Sequence, residues 1–145
     1  MQLGKTNLRV SRVGFGGIPI QRLTEVEAVK VVQRCLDLGV TFLDTANGYT
    51  TSEERIGQAI VGSAVRREQV AIATKTGARD KVGAQEHLEL SLKRLQTDYI
   101  DIYFLHRSDF NVPQEESLAA LDMLVRQGKV RHIACSTHPP WRTVE

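Results

Sequence analysis

TFLDTANGYTTSEERIG, residues 41–57, contains a short apolar run that ends on a carboxylate, Asp44, and then crosses a Gly-Tyr loop into a helical pattern. A buried strand that closed in a plain turn would more naturally finish on Gly, Asn or Pro. Here it finishes on an ionisable group, with Tyr49 five residues later. The flanks show what kind of segment this is. Upstream, Thr24 and Glu27 have the spacing of a capping box. Val26, Val29, Val32, Leu36 and Leu38 then recur at near-helical intervals until Gly39, a C-terminal stop. Val40–Leu43 therefore reads as a strand entered from a helix. Thr51-Ser52-Glu53-Glu54 offers a second cap, with Ile56, Ala59 and Ile60 as the apolar face behind it.

The alternation extends in both directions. Met1-Gln2-Leu3 and Leu8-Arg9-Val10 bracket a turn at Gly4–Asn7, a small hairpin, and Arg12–Phe15 forms a first core strand broken at Gly16-Gly17. Val70–Ala73 is a third strand, ending at Thr74-Lys75. Ala84–Leu95 is helical, with Leu88, Leu92 and Leu95 on one face. Tyr99–Leu105 is a fourth strand, ending at His106. Pro113 opens a helix whose buried face is Leu118, Leu121, Leu124 and Val125, and Gly128 closes it. Val130–Cys135 is a fifth strand, and Pro139-Pro140-Trp141 enters a fifth helix. Five strands alternating with four helices predict βαβ units and a parallel sheet. Two architectures fit: a doubly wound sheet of the flavodoxin type, favoured by length, and a (β/α)₈ barrel, which typically needs roughly 250 residues.

Composition narrows the function classes. The 145 residues are 41% hydrophobic and 25% charged, ordinary for one globular domain with its own core. A net charge of +2 with scattered basic pairs, such as Arg66-Arg67, gives no phosphate-binding stripe, so no nucleic-acid partner is expected. No apolar run approaches the roughly 20 residues of a membrane span, and MQLGKTNLRV lacks the apolar core of a signal peptide. A cytoplasmic protein is expected. Cys35 and Cys135 read as small buried residues in a reducing compartment rather than a disulfide framework.

Function in such folds sits at the C-terminal ends of the strands. The five predicted strands end in Gly16-Gly17, in Asp44 with Tyr49 beyond it, in Lys75, in His106, and in Ser136-Thr137. Each residue has a bland reading alone: a turn carboxylate, a loop aromatic, a snorkelling lysine, a core histidine. Their conjunction at successive rim positions favours a site. A tyrosine of pKa about 10 is a poor acid near neutrality. An adjacent ammonium would lower that value, a carboxylate would fix the ammonium, and an imidazole would orient a substrate oxygen. Such a set protonates an oxygen that gains charge as hydride attacks its carbon, and the hydride must come from a nicotinamide cofactor.

These residues carry a resemblance to the aldo-keto reductases. FLDTANGY followed by SEERIG resembles that family's Asp-Thr-Ala…Tyr…Ser-Glu…Gly segment. TKT, DYIDIYFLH and GKVRHIACS follow in the family's order, and LGKTNLRVSRVGFGG is similar to its opening hairpin and first strand. The resemblance implies a (β/α)₈ barrel with the hairpin plugging its bottom, residues 1–145 forming the N-terminal part of that domain. It implies NADP(H)-dependent reduction of a small-molecule aldehyde or ketone, NAD(H) being an alternative. It also implies a tetrad of Asp44, Tyr49, Lys75 and His106, with Tyr49 as general acid, and cofactor contacts from Gly16, Gly17, Asp44, Ser136 and Thr137.

The sequence departs from the family at two places. Ser136-Thr137 replaces the common Ser-Asn pair that holds the nicotinamide carboxamide. Arg107 replaces a frequent aromatic residue, and it either favours an anionic substrate or points to solvent. GIPIQRL and STHPP are similar to the branch with a ferredoxin-like iron–sulfur extension, although two cysteines are too few for a Cys₄ cluster. His132, Cys135 and His138 have a loose metal-like spacing, but odd offsets on a strand separate the first two, and no metal is expected. With strands six to eight absent, the chain is expected to hold the acid–base half of the site and part of the cofactor site. Open strand edges would invite self-association. The rival reading is an inactive fragment, or a non-catalytic regulatory or binding subunit on the same fold.

Overall fold

The computed structural model describes residues 1–144. Its elements are β1 (Phe15–Gly16), α1 (Glu25–Asp37), β2 (Phe42–Asp44), α2 (Ser52–Val61), β3 (Ala71–Thr76), α3 (Lys81–Leu95), β4 (Ile100–Leu105), α4 (Gln114–Arg126), β5 (Val130–Cys135) and a short α5 (Pro140–Thr143). Short 3₁₀ turns at Pro19–Arg22 and Arg67–Gln69 complete the connections.

Strand order decides between the two architectures. All five strands are parallel, and each pairs with its predecessor in the order β1-β2-β3-β4-β5. A doubly wound sheet of the flavodoxin type would reverse direction after its second strand. The helices follow the same progression, α1 packing on α2, α2 on α3 and α3 on α4. This is the sequential winding of a (β/α)₈ barrel.

The sheet separates two apolar layers. Between it and the helices lie Val32, Leu36, Leu43, Ile56, Ile72, Leu88, Leu95, Tyr103, Leu121 and Leu124, all nearly solvent-free. On its other face Ala71, Ala73 and Ile102 pack against Leu8 and Val10 of the N-terminal hairpin, with Phe42 and Phe104 at the margin. The hairpin consists of one antiparallel bridge, Gln2 to Arg9, and backbone hydrogen bonds from Leu3 to Leu8 and from Val10 to Met1. It covers strand segments that precede Lys75 and His106, so the rim stays clear.

Several boundaries move. β1 is only two residues long and includes Gly16, because Arg12 and Val13 are exposed and find no neighbouring strand. β2 runs through Asp44, and α3 starts three residues early because the Asp80 carboxylate accepts the Gly83 amide. The Thr24 capping box forms as its spacing predicts. The Thr51 cap does not: its hydroxyl is buried without a partner among the described residues. On α1, Val26 and Leu38 are exposed, and Ala28 takes the buried position. On α4, Leu118 stays 41% exposed. Cys135 is exposed and Cys35 half-buried, so neither is the buried residue its type suggests.

Candidate active site

The loop after β2 is built from backbone bonds that prolong the sheet. The Thr45 amide donates to Ala73 O and the Asn47 amide to Lys75 O, at 2.8 and 3.0 Å. Tyr49 N then turns back to Ala46 O, and Ser52 N to Tyr49 O, which closes the loop onto α2. Asn47 is pinned on every side. Its amide group donates to His87 O and Ser91 Oγ of α3, and its carbonyl accepts from Arg94. Arg94 also reaches Glu53, a carboxylate 1% exposed that accepts a 2.6 Å bond from Thr74 Oγ1. Both polar groups thus brace the loop that carries Tyr49. Sequence reading missed Asn47, Glu53 and Arg94. Glu53 looks like a first-turn helix residue, and its cation lies 41 positions away.

Lys75, 6% exposed, donates to Asp44 Oδ1 at 2.6 Å and to the Thr45 carbonyl at 2.7 Å. Two of its three protons are thereby committed. Its ammonium stands 5.4 Å from the centroid of the Tyr49 ring. Tyr49 OH lies 3.4 Å from His106 Nε2, and the two rings meet edge-on with centroids 5.5 Å apart. Asp44, Tyr49, Lys75 and His106 therefore converge, from three consecutive strand ends.

The electrostatics of the phenol differ from the sequence-based expectation. Burial and then the negative charge of Asp44 raise the Tyr49 pKa above its ordinary value. The Lys75 ammonium, paired to Asp44 and bonded to the Thr45 carbonyl, does not reverse this. The His106 imidazole is lowered, first by burial and then by the positive charges of Lys75 and Arg107, with Asp44 opposing. At neutral pH the site thus holds a protonated phenol beside a neutral imidazole.

The remaining predicted residues sit at the same rim with different surroundings. Ser136 Oγ and Thr137 Oγ1 lie 3.3 Å apart, and among the described residues neither hydroxyl makes another side-chain bond. Thr137 is held at φ 54°, a left-handed conformation that a β-branched residue adopts only under strain. Gly16 has open space where a Cβ would stand. At Gly17 a Cβ would meet Ser52 Oγ at 2.4 Å, and that hydroxyl donates to the Gly17 carbonyl. Gly17 is therefore required by the close approach of α2. Among the described residues, no group of three His, Cys, Asp or Glu side chains is placed to hold a metal ion, and no helix is long and apolar enough to cross a membrane.

The aldo/keto reductase family profile matches residues 12–145. The chain belongs to that family. It is 37% identical to the uncharacterized oxidoreductase YrpG of Bacillus subtilis over 99% of its length, covering 50% of that protein. It is also 37% identical to a probable voltage-gated potassium channel subunit beta of Arabidopsis thaliana, over 87% of this chain and 42% of that one. Among solved structures, aldo-keto reductase AKR11C1 from Bacillus halodurans in its holo form superimposes with a TM-score of 0.86 at 34% identity, across 94% of this chain and 49% of that one. The chain thus spans about half the length of the curated relatives it matches. In an aldo-keto reductase a nicotinamide cofactor is expected at this rim. The residues present fit such a group, since among the described residues Ser136 and Thr137 offer two hydroxyls free of other side-chain bonds and Gly16 leaves the rim open.

Proposed function

We propose that residues 1–145 carry the acid–base part of an NAD(P)H-dependent reduction of aldehyde or ketone carbonyls to alcohols. The observation that carries the reading is the convergence of Tyr49 OH on His106 Nε2 at 3.4 Å, beside the Lys75–Asp44 pair, of which Lys75 is buried and Asp44 half-exposed. A bound nicotinamide would supply the hydride. The chain's own residues do the rest. His106, neutral, presents Nε2 toward the substrate oxygen and orients it. Tyr49 donates its proton to that oxygen as negative charge develops. Lys75, 5.4 Å from the Tyr49 ring centroid and held there by Asp44, stabilises the resulting phenolate. The 3.4 Å separation is long for a hydrogen bond, as catalytic bonds often are before substrate draws them together. Ser136, Thr137, Gly16, Gly17 and Asp44 are the residues that would hold the cofactor, and comparative titration with NADPH and NADH decides which it is.

The experiment is Tyr49→Phe, with NADPH consumption followed in the presence of a small aldehyde and NADPH binding followed by fluorescence. Loss of a general acid should lower turnover by about 10²–10⁴-fold and leave binding nearly intact. Unchanged turnover would refute the assignment. The channel-subunit relative supports a second reading, a binding or regulatory protein on the same fold. NADPH binding with no turnover of any carbonyl by the unsubstituted protein would favour it.

A further inference from the structure

The loops after β3 and β4 bring a second cationic group to the mouth of the site. Arg79 donates from Nη1 to the Gly77 carbonyl at 2.9 Å and to the Ala78 carbonyl at 3.0 Å, and from Nη2 to the Arg107 carbonyl. These bonds fix the guanidinium and tie the two loops together. Its Nε is buried and has no hydrogen-bond partner among the described residues. A buried donor left without a partner is costly and calls for an acceptor from elsewhere. Arg107, adjacent to His106, is exposed. Neither arginine forms an ion pair among the described residues. Two carboxylates lie nearby: Asp44 pairs with Lys75, and Asp109, whose Oδ1 accepts the Asn111 amide of its own loop, acts on Arg79 through its charge without forming an ion pair with it. The Lys75, Arg107 and Arg79 charges all act on the His106 imidazole, with Asp44 alone opposing. A site that only shielded a neutral carbonyl from water would have no use for two guanidiniums at its entrance, Arg79's fixed by loop carbonyls and Arg107's exposed.

We propose that Arg79 and Arg107 recognise a carboxylate carried by the carbonyl substrate, a few bonds from the reacting carbon, so that the preferred substrates are oxo-acids. The inference rests on the carbonyl-reductase reading for the word substrate, but the anion site itself is testable without turnover. A carboxylate offers two acceptor oxygens to the planar forks of the arginines. One charge-assisted hydrogen bond of this kind corresponds to about tenfold or more in affinity.

The test compares 4-oxopentanoate with its neutral isostere 4-oxopentanamide, read by the His106 ring-proton resonances in an NMR titration at fixed pH. The expected result is saturable perturbation of His106 by both probes, with the carboxylate binding at least about tenfold more tightly and losing that advantage in high salt. Arg107→Glu should abolish the preference, Arg79→Gln should reduce it by about tenfold, and Arg79→Lys should keep part of it. Because Arg79 also holds loop carbonyls, the surface substitution Arg107→Glu is the decisive variant if Arg79→Gln fails to fold. Equal affinity for the two probes, a preference that survives Arg107→Glu, or no perturbation of His106 by either probe overturns the proposal. Absence of NADPH-dependent reduction alongside a retained carboxylate preference would refute the reductase reading and leave the anion site standing.

Discussion

Gly57→Ala pits local propensity against tertiary packing. Gly57 is buried in the middle of α2, where alanine is the better helix former by about 1 kcal/mol. A Cβ there would stand 2.4 Å from the Arg94 carbonyl oxygen, 2.8 Å from Leu95 C and 2.9 Å from Leu95 Cα. All three are backbone atoms of α3 or its last turn, so no side chain can swing aside. Ordinary contact requires the helices to separate by about 1 Å, which opens the interface shared by Ile56, Ala59, Leu92 and Leu95. Overpacking against rigid neighbours costs about 1–3 kcal/mol, and three backbone clashes place this site at the upper end. Net of the propensity gain, the expected loss is about 2 kcal/mol. In urea that lowers the midpoint by about 1 M with an unchanged slope, and in thermal unfolding it lowers Tm by about 8 °C. Far-UV circular dichroism measures both. An unchanged or raised midpoint would show that α2 and α3 are not locked at this contact. The consequence reaches the site, since Arg94 is the residue that holds the Asn47 carbonyl and Glu53 behind the Tyr49 loop.

Two further outcomes follow from the rim. Asp44→Asn removes the negative charge that helps hold the Tyr49 phenol high, so the Tyr49 pKa should fall toward its ordinary value of about 10. Tyrosine ring-carbon NMR across alkaline pH reads the change directly, and a rise instead would mean that the unpaired Lys75 moves away from the ring. Thr137→Gly relieves a β-branched residue at φ 54° and should stabilise the fold by about 1 kcal/mol, seen as a higher urea midpoint.

The sequence by itself determined the periodic part of this protein. Apolar spacing and the Thr24 capping box located the helices, and the strand ends named Asp44, Lys75 and His106, because a residue that follows an apolar run stands at its rim wherever the strand lies. The motifs' resemblance to the aldo-keto reductases already pointed to the barrel, but strand-helix alternation and length alone could not choose between a barrel and a doubly wound sheet. That choice depends on which strand pairs with which, and pairing is a long-range property that local pattern does not encode. The sequence also placed Lys75 beside Tyr49 but gave the wrong sign for the phenol. The direction is set first by the burial of the phenol and then by the Asp44 charge, and only the packed structure brings both to bear. Glu53 and Arg94 were illegible for the same reason, since a surface helix residue and a buried ion-pair member look alike until the chain folds 41 positions back on itself. Composition and spacing fix what each residue can do. Which partner it meets, and hence which charge it feels, is decided by tertiary contact.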